Sequence, residues 1–282
     1  MMIPSLKKFL SAVLLLCCFT LFAAENNPPQ RIVSMAPALT ELICHLGRES
    51  WLVGRSEACD YPASVKKLPA AGRFGDPQTE QTLRLKPTML TANYLLFPNV
   101  GKVFQKAGIR MEMMECENLE QYLRCVQKFG ELLDCRDAAA REIKHVRTSL
   151  AELEKKHLPP EKRPRVLWII WDSPLLLAGK GSLPDAVIRY AGGINVAGEV
   201  TPAYIQGSME WVLQNPPDII VWTSISKVKD TSAFLRQLPA VRKGKVIDFI
   251  DQDILQRPGP RLIEGIRQLT EAFLKLHTSE EK

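Results

Sequence analysis

Few residues in this chain are arranged for covalent chemistry. Gly179-Lys180-Gly181-Ser182 ends like a phosphate-binding loop, but the glycine such a loop needs further upstream is replaced by Leu175 or a neighbour. No Gly-x-Ser-x-Gly elbow and no His-Glu-x-x-His pair occurs. His45, His145, His157 and His277 mostly fall in charged helical stretches and are expected to be solvated. Three of them sit near helix C-termini, where positive charge is favoured. With no nucleophile beside a base, the sequence favours a binder over an enzyme, without catalytic residues or a cofactor of its own. What remains is recognition chemistry. Glu80 and Glu210 each open a helix; there they either serve the helix dipole or stand out as two anionic pegs. Tyr61, Phe74, Tyr94, Trp171, Tyr204 and Trp222 fall at strand ends or in loops, as core filling or as walls for a ligand.

The elements that carry these residues alternate between strand and helix. Strands are expected at Gln30–Met35, Trp51–Gly54, Met89–Ala92 and Ile109–Met114. Helices are expected from Ala36, from Asp76-Pro77 (as N-cap and first turn), over Val100–Ala107 and over Leu119–Leu133. Asp137 to Leu158 then reads as one long helix with Asp137 as N-cap, an apolar stripe of Ala139, Ile143, Val146, Leu150 and Leu153, and a stop at Pro159-Pro160. At 1.5 Å per residue it is a rod of about 30 Å. Beyond it the alternation restarts, with strands at Arg165–Trp171, Ile219–Trp222 and Val246–Ile250. The helices there are Ser182–Tyr190, Met209–Leu213, Leu235–Leu238 and Arg261–Leu276. Such alternation implies largely parallel sheets covered on both faces.

The two halves echo each other. Glu80-Gln-Thr-Leu-Arg-Leu-Lys-Pro87 followed by Thr88-Met-Leu-Thr-Ala92 aligns without gaps on Glu210-Trp-Val-Leu-Gln-Asn-Pro-Pro217 followed by Asp218-Ile-Ile-Val-Trp222. Two copies flanking a rod suggest two similar α/β lobes with a cleft between them, where small-molecule sites are preferentially found.

Of the 282 residues, 46% are hydrophobic and 24% charged, an ordinary globular balance. Residues 1–24 differ: Lys7 and Lys8 precede an apolar run from Phe9 to Ala24, the pattern of a cleavable secretory signal peptide. An uncleaved membrane anchor is the alternative, but the 16-residue run is short for a span, so cleavage is preferred; Cys17 and Cys18 invite a lipid-anchored form, which ranks low because neither follows a small residue. The formal charge of +6 falls to +4 when the two lysines of this segment are removed, too little and too scattered to argue for nucleic acid. Five cysteines remain, Cys44, Cys59, Cys116, Cys125 and Cys135, with no zinc-like spacing; which of them pair is not readable from the sequence.

Arg31-Ile-Val-Ser-Met-Ala-Pro-Ala-Leu-Thr-Glu41, Cys59-Asp-Tyr-Pro62, Glu80 with Leu85-Lys-Pro87, Gly192-Gly-Ile-Asn195 and Arg257-Pro-Gly-Pro-Arg261 occur in this order over residues 30 to 276. Together they resemble the periplasmic substrate-binding proteins of ABC importers for cobalamin, iron–siderophores and haem, most closely the cobalamin-binding members. The resemblance implies a class III periplasmic binding protein: α/β, two Rossmann-like lobes joined by a single long rigid helix. Its divisions here would be a signal peptide at 1–24, an N-terminal lobe at 25–135, a bridging helix at 136–160 and a C-terminal lobe at 161–282. It further implies a monomer in the periplasm that passes a corrinoid to an ABC permease dimer in the inner membrane.

Carried over by position, the resemblance sets ligand contacts at Phe74, Asn93, Tyr204, Asp253 and Arg257, with Tyr61 as a further candidate. Glu80 and Glu210 would dock on permease arginines. Phe74 and Tyr204 keep aromatic character where the best-known cobalamin binder has tryptophan. Asn93 replaces an aromatic, Ala58 stands where a tyrosine would help, and Ala191 and Leu269 occupy the positions of that protein's disulfide. A siderophore site would want several arginines, for which Arg73 and Arg257 are nominees. A haem site would want an iron ligand, for which Tyr61, Tyr94 and Tyr204 are candidates. The rival of a different class is an enzyme that uses the inter-lobe cleft.

Overall fold

The structure, a computed structural model, describes residues 29–278; the expected signal peptide lies outside the described residues. In the first half the order is β1 (Ile32–Ser34), α1 (Pro37–His45), β2 (Leu52–Arg55), β3 (Gly72–Arg73), β4 (Asp76–Pro77), α2 (Thr79–Arg84), β5 (Met89–Ala92), α3 (Pro98–Lys106), β6 (Arg110–Met113) and α4 (Leu119–Leu132). Four of these strands form a parallel sheet in the order β2-β1-β5-β6. Ile32 lies opposite Met89 and Ser34 opposite Thr91. Its central strands are buried on both faces, so β5 has no polar-outward alternation. The chain leaves β1 in opposite directions toward β2 and β5, so the sheet has a switch point between β1 and β5. The crevice outside the strand ends at such a point is where ligands of open α/β sheets bind.

The helix expected at Asp76-Pro77 begins later, at Thr79. Asp76 and Pro77 instead pair with Gly72 and Arg73 in a small hairpin. Gly72 makes it possible: its φ is +138°, and a Cβ there would meet the Asp76 carbonyl at 2.2 Å.

The long helix, α5 (Arg136–Glu154), spans 19 residues, about 28 Å. Cys135 is its N-cap, not Asp137, which lies in the first turn where its charge suits the dipole. It ends four residues before the expected Leu158. Ala139, Val146 and Leu153 of the stripe are buried, together with Glu142 and Ser149. One face packs on α4.

The second half contains β7 (Arg165–Asp172), β8 (Leu175–Ala178), α6 (Leu183–Tyr190), β9 (Ile194–Asn195), β10 (Tyr204–Gln206), α7 (Met209–Gln214), β11 (Ile219–Trp222), α8 (Ala233–Gln237), α9 (Pro239–Arg242), β12 (Val246–Ile247), α10 (Gln252–Gln256) and α11 (Leu262–Thr278). Its six-stranded sheet runs β10-β8-β7-β11-β12, with β9 beside β7. Strands β7, β9, β11 and β12 are parallel; β8 pairs antiparallel with β7 and β10 pairs antiparallel with β8, both additions that the sequence reading missed. β12 is shorter than expected.

The bridging helix also packs on α6 and α11 of this half. A single apolar cluster therefore runs from Ile32 and Leu39, through Val146 and Leu153, to Val166, Ile188 and Phe273. The far face of each sheet has its own smaller cluster, around Leu90 and Phe104 in one lobe and Ile169 and Trp222 in the other.

The echo between the halves is structural. α2 and β5 occupy 79–84 and 89–92, and α7 and β11 occupy 209–214 and 219–222, so helix, gap and strand match residue for residue.

Candidate functional site

Loops at the carboxyl ends of β1, β5 and β6 meet the second lobe around a cavity of about 440 Å³. From the first lobe, β1 delivers Ala36 and Pro37 at the start of α1, β5 delivers Asn93 and Tyr94, and β6 delivers Cys116 and Glu117. The β3–β4 hairpin adds Phe74. From the second lobe come Tyr204 at the start of β10, Leu183 at the start of α6, and Arg257-Pro258 after α10. Of the expected ligand residues, the structure gathers Phe74, Asn93, Tyr204 and Arg257 here.

The walls are mainly apolar. Phe74 and Tyr94 meet edge to face, with ring centroids 5.2 Å apart at 80°. Gly75, at φ +67°, lets this pair close, because a Cβ there would reach the Tyr94 ring at 2.9 Å. Tyr204, 50% exposed, faces them from the other lobe. Burial, and then the nearby Glu117 carboxylate, raise its hydroxyl pKa, so the phenol stays neutral.

Two polar features border this apolar surface. Asn93 donates through Nδ2 to the Cys116 carbonyl at 3.2 Å, while its buried Oδ1 has no partner. That oxygen is an acceptor waiting for a donor. The start of α1 has no side-chain cap, so its first backbone N–H groups lack side-chain acceptors.

Arg257 reaches the rim already engaged. Its guanidinium donates to Asp60 Oδ1 at 2.7 Å and Glu41 Oε1 at 3.2 Å, and pairs with Asp253 Oδ2 at 2.9 Å. Burial works against its charge, but these carboxylates raise its pKa further. Burial likewise pushes Asp60 up, yet the Arg257 hydrogen bond leaves that carboxyl below its usual range. Asp253 ends above its usual range, because burial and the charges of Asp60 and Asp251 outweigh Arg257. Asp253 thus holds Arg257 and does not line the cavity.

Arg261 grips Glu41 with two bonds, Nε to Oε2 at 2.8 Å and Nη2 to Oε1 at 2.7 Å. Its guanidinium lies 3.9 Å from the ring centroid of Tyr61. Tyr61 therefore sits under this inter-lobe clasp and outside the cavity lining. Arg73 is exposed on its hairpin and does not line the cavity either.

The sequence reading missed Glu41, Cys116 and Glu117. Glu41 stands inside the Ala-Leu-Thr-Glu motif, but its partners lie more than 200 residues away. His45 and His157 also prove to be engaged. His45 Nε2 lies 2.7 Å from Glu142 Oε2, and His157 Nε2 lies 3.0 Å from the Tyr190 carbonyl oxygen.

Glu80 and Glu210 are each the second residue of their helices, exposed on separate lobes. Glu80 pairs with Arg84 at 2.6 Å, and Glu210 accepts from Gln214 at 3.3 Å. Among the described residues no group of three or more His, Cys, Asp or Glu could hold a metal, and no helix is long and apolar enough to cross a membrane.

A profile of the periplasmic binding protein family matches residues 32–252. A vitamin B12-binding protein of Vibrio vulnificus is 27% identical over 277 residues, covering 95% of this chain and 98% of the relative. Among solved structures, a periplasmic heme-binding protein of Pseudomonas aeruginosa superposes with TM-score 0.76 at 28% identity, covering 87% of this chain and 93% of that one. The periplasmic vitamin B12-binding protein of Vibrio cholerae gives TM-score 0.72 at 21% identity, over 88% and 98% of the two chains. The cleft between two α/β lobes and the match over most of the chain agree: this chain belongs to the periplasmic binding protein family, and it is a binding protein, not an enzyme.

Proposed function

We propose that the protein captures a corrinoid, with cobalamin as the model ligand, and delivers it to the permease dimer of an ABC importer. The observation that carries the ligand class is the pairing of aromatic walls with a rim whose one arginine is already held by three carboxylates. A corrinoid offers a broad apolar face and a fringe of primary amides. Each amide carries a carbonyl for the N–H groups at the start of α1. A ligand fringed by carboxylates would face Glu117 and find Arg257 neutralised. The vitamin B12-binding relative supports the same ligand class.

Residues 1–24 act in this reading as a cleaved export signal. Glu80 and Glu210 act as the docking pegs, one for each permease subunit, and the binder works as a monomer. Exposed ion pairs are individually weak, but two on separated lobes set register on a two-fold partner.

Haem is the second reading. Tyr94 and Tyr204 both line the cavity and could ligate iron, and the Pseudomonas aeruginosa relative binds heme. Tryptophan-quench titration of the mature protein with cyanocobalamin, haemin and a ferric siderophore decides between them. Saturable submicromolar binding of cyanocobalamin alone is expected. Silence with cyanocobalamin and saturation with haemin would transfer the site to haem.

A further inference from the structure

Five thiols occur among the described residues, and two of them, Cys116 and Cys125, are buried around the loop that follows β6. Cys116 is 2% exposed and lines the cavity just after β6. Its carbonyl holds Asn93 Nδ2, and its thiol donates to the Pro258 carbonyl at 3.1 Å, a bond from one lobe to the other. Cys125, in α4 and 4% exposed, donates to the Glu115 carbonyl at 3.3 Å. That carbonyl belongs to the peptide group leading into Cys116, so the Cys125 sulfur rests against the Cys116 backbone. Both side chains also belong to the same buried cluster.

The remaining thiols are differently occupied. Cys59 is enclosed by the Thr40 and Ser56 hydroxyls, each at 3.1 Å. Cys135 points at the Phe129 carbonyl, and burial and nearby carboxylates push the Cys44 thiol up to about 12.

We propose that Cys116 and Cys125 close into a disulfide, and that closure withdraws the thiol proton from Pro258, making this inter-lobe contact depend on oxidation state. Cys125, whose thiol bonds the Glu115 carbonyl within its own lobe, attacks as its thiolate. It displaces one thiolate from a small-molecule or protein disulfide and forms a mixed disulfide. Cys116 then loses its proton, and its sulfur attacks Cys125 Sγ, releasing the second thiolate. Two cysteine thiols are oxidised, one external disulfide is reduced to two thiols, and the two protons end on the leaving groups. An exported protein meets an oxidising compartment in which such bridges persist. A bridged sulfur has no hydrogen to donate, so the Pro258 carbonyl loses its partner.

The inference stands whichever ligand fills the cleft. The test uses the full mature chain, exported, purified without reductant and equilibrated with oxidised and reduced glutathione. It is then unfolded in N-ethylmaleimide and mapped by mass spectrometry. Three alkylated cysteines and a Cys116–Cys125 cross-linked peptide are expected. Five alkylated cysteines, or a bridge joining any other pair, would overturn the proposal. Hydrogen exchange reads the second half: the amides of Arg257 and Leu262, which bond the Asp253 and Gly259 carbonyls on either side of Pro258, are expected to exchange about two- to tenfold faster in the bridged protein than after reduction, the scale of one lost hydrogen bond. Equal rates would sink the link to Pro258.

Discussion

Glu41 is 4% exposed, and its carboxylate is held by Arg257 and Arg261, 216 and 220 residues along the chain. Replacing such a cluster entirely by apolar groups is often tolerated, but removing one partner leaves buried charge without compensation. Glu41→Gln keeps the shape and deletes the charge, so it is expected to cost about 3 kcal/mol, read as a lower urea midpoint. An unchanged midpoint would show that Asp60, Asp251 and Asp253 suffice for both arginines. Within the cleft, Phe74→Ala and Tyr204→Ala each remove one aromatic wall. Each is expected to weaken cyanocobalamin binding about tenfold while leaving the melting temperature nearly unchanged, since neither ring is fully buried. Phe74 and Tyr204 could be nominated because the family resemblance carries ligand contacts onto their positions, although the hairpin and the strand that hold them were not read. The clasp could not, because a glutamate in a helix carries no local mark of partners two hundred residues away.

At the scale of elements, α2–β5 and α7–β11 are the same unit used twice, and each presents its glutamate in an exposed first turn. Glu80→Ala with Glu210→Ala is expected to leave urea stability within about 0.5 kcal/mol and corrinoid affinity unchanged, while uptake by cells expressing the importer falls to background. Full uptake by the double variant would remove the docking role.

A second element-level device joins three helices: His45 of α1 and Tyr122 of α4 both bond Glu142 of α5, each at 2.7 Å. The hydrogen bond to Glu142 raises the His45 pKa in spite of burial. Burial pushes Glu142 up, but the bonds from His45 and Tyr122 outweigh it and leave the carboxyl below its usual range. The raised histidine stabilises fully below its ordinary value of 6.5 and loses that contribution as pH rises through its folded value. The lowered carboxyl stabilises above its ordinary 4.5 and loses its contribution as pH falls through its folded value. The urea midpoint of the wild type over His45→Gln is therefore expected to be greatest between these values and to shrink above pH 6.5. A gap independent of pH would show that His45 acts as a neutral hydrogen-bond partner.

The repeated units were legible in the sequence because helix, proline break and buried strand are local patterns. The β3–β4 hairpin was not, because Asp-Pro reads equally as a helix start, and only the close approach at Gly72 decides it. β8 and β10 were hidden by their shortness and by breaking the βα alternation, which nothing in Leu175–Ala178 announces.

For the molecule as a whole, the shared apolar cluster matters more than either sheet. Because α5 contributes Val146 and Leu153 to a core reaching into both lobes, the lobes are expected to unfold together. A single calorimetric transition should report this, and Leu153→Ala should lower it as one peak, by about 2–3 kcal/mol. Two resolved transitions would show that the lobes are thermodynamically separate. The two-lobe plan was readable from the stripe on this helix and from the echo around it; the continuity of the core was not, because it depends on which helices the stripe meets.

The carboxylate cage around Arg257 has a consequence for ionic strength. On the proposed reading, a neutral ligand entering the cleft meets no free cation and displaces few counter-ions, so its affinity stays flat as salt is added. Two exposed glutamates approaching a cationic partner are screened within a Debye length of about 8 Å at physiological salt. Capture and delivery thus answer to salt differently, and a salt titration of transport with ligand saturating reads the docking step alone.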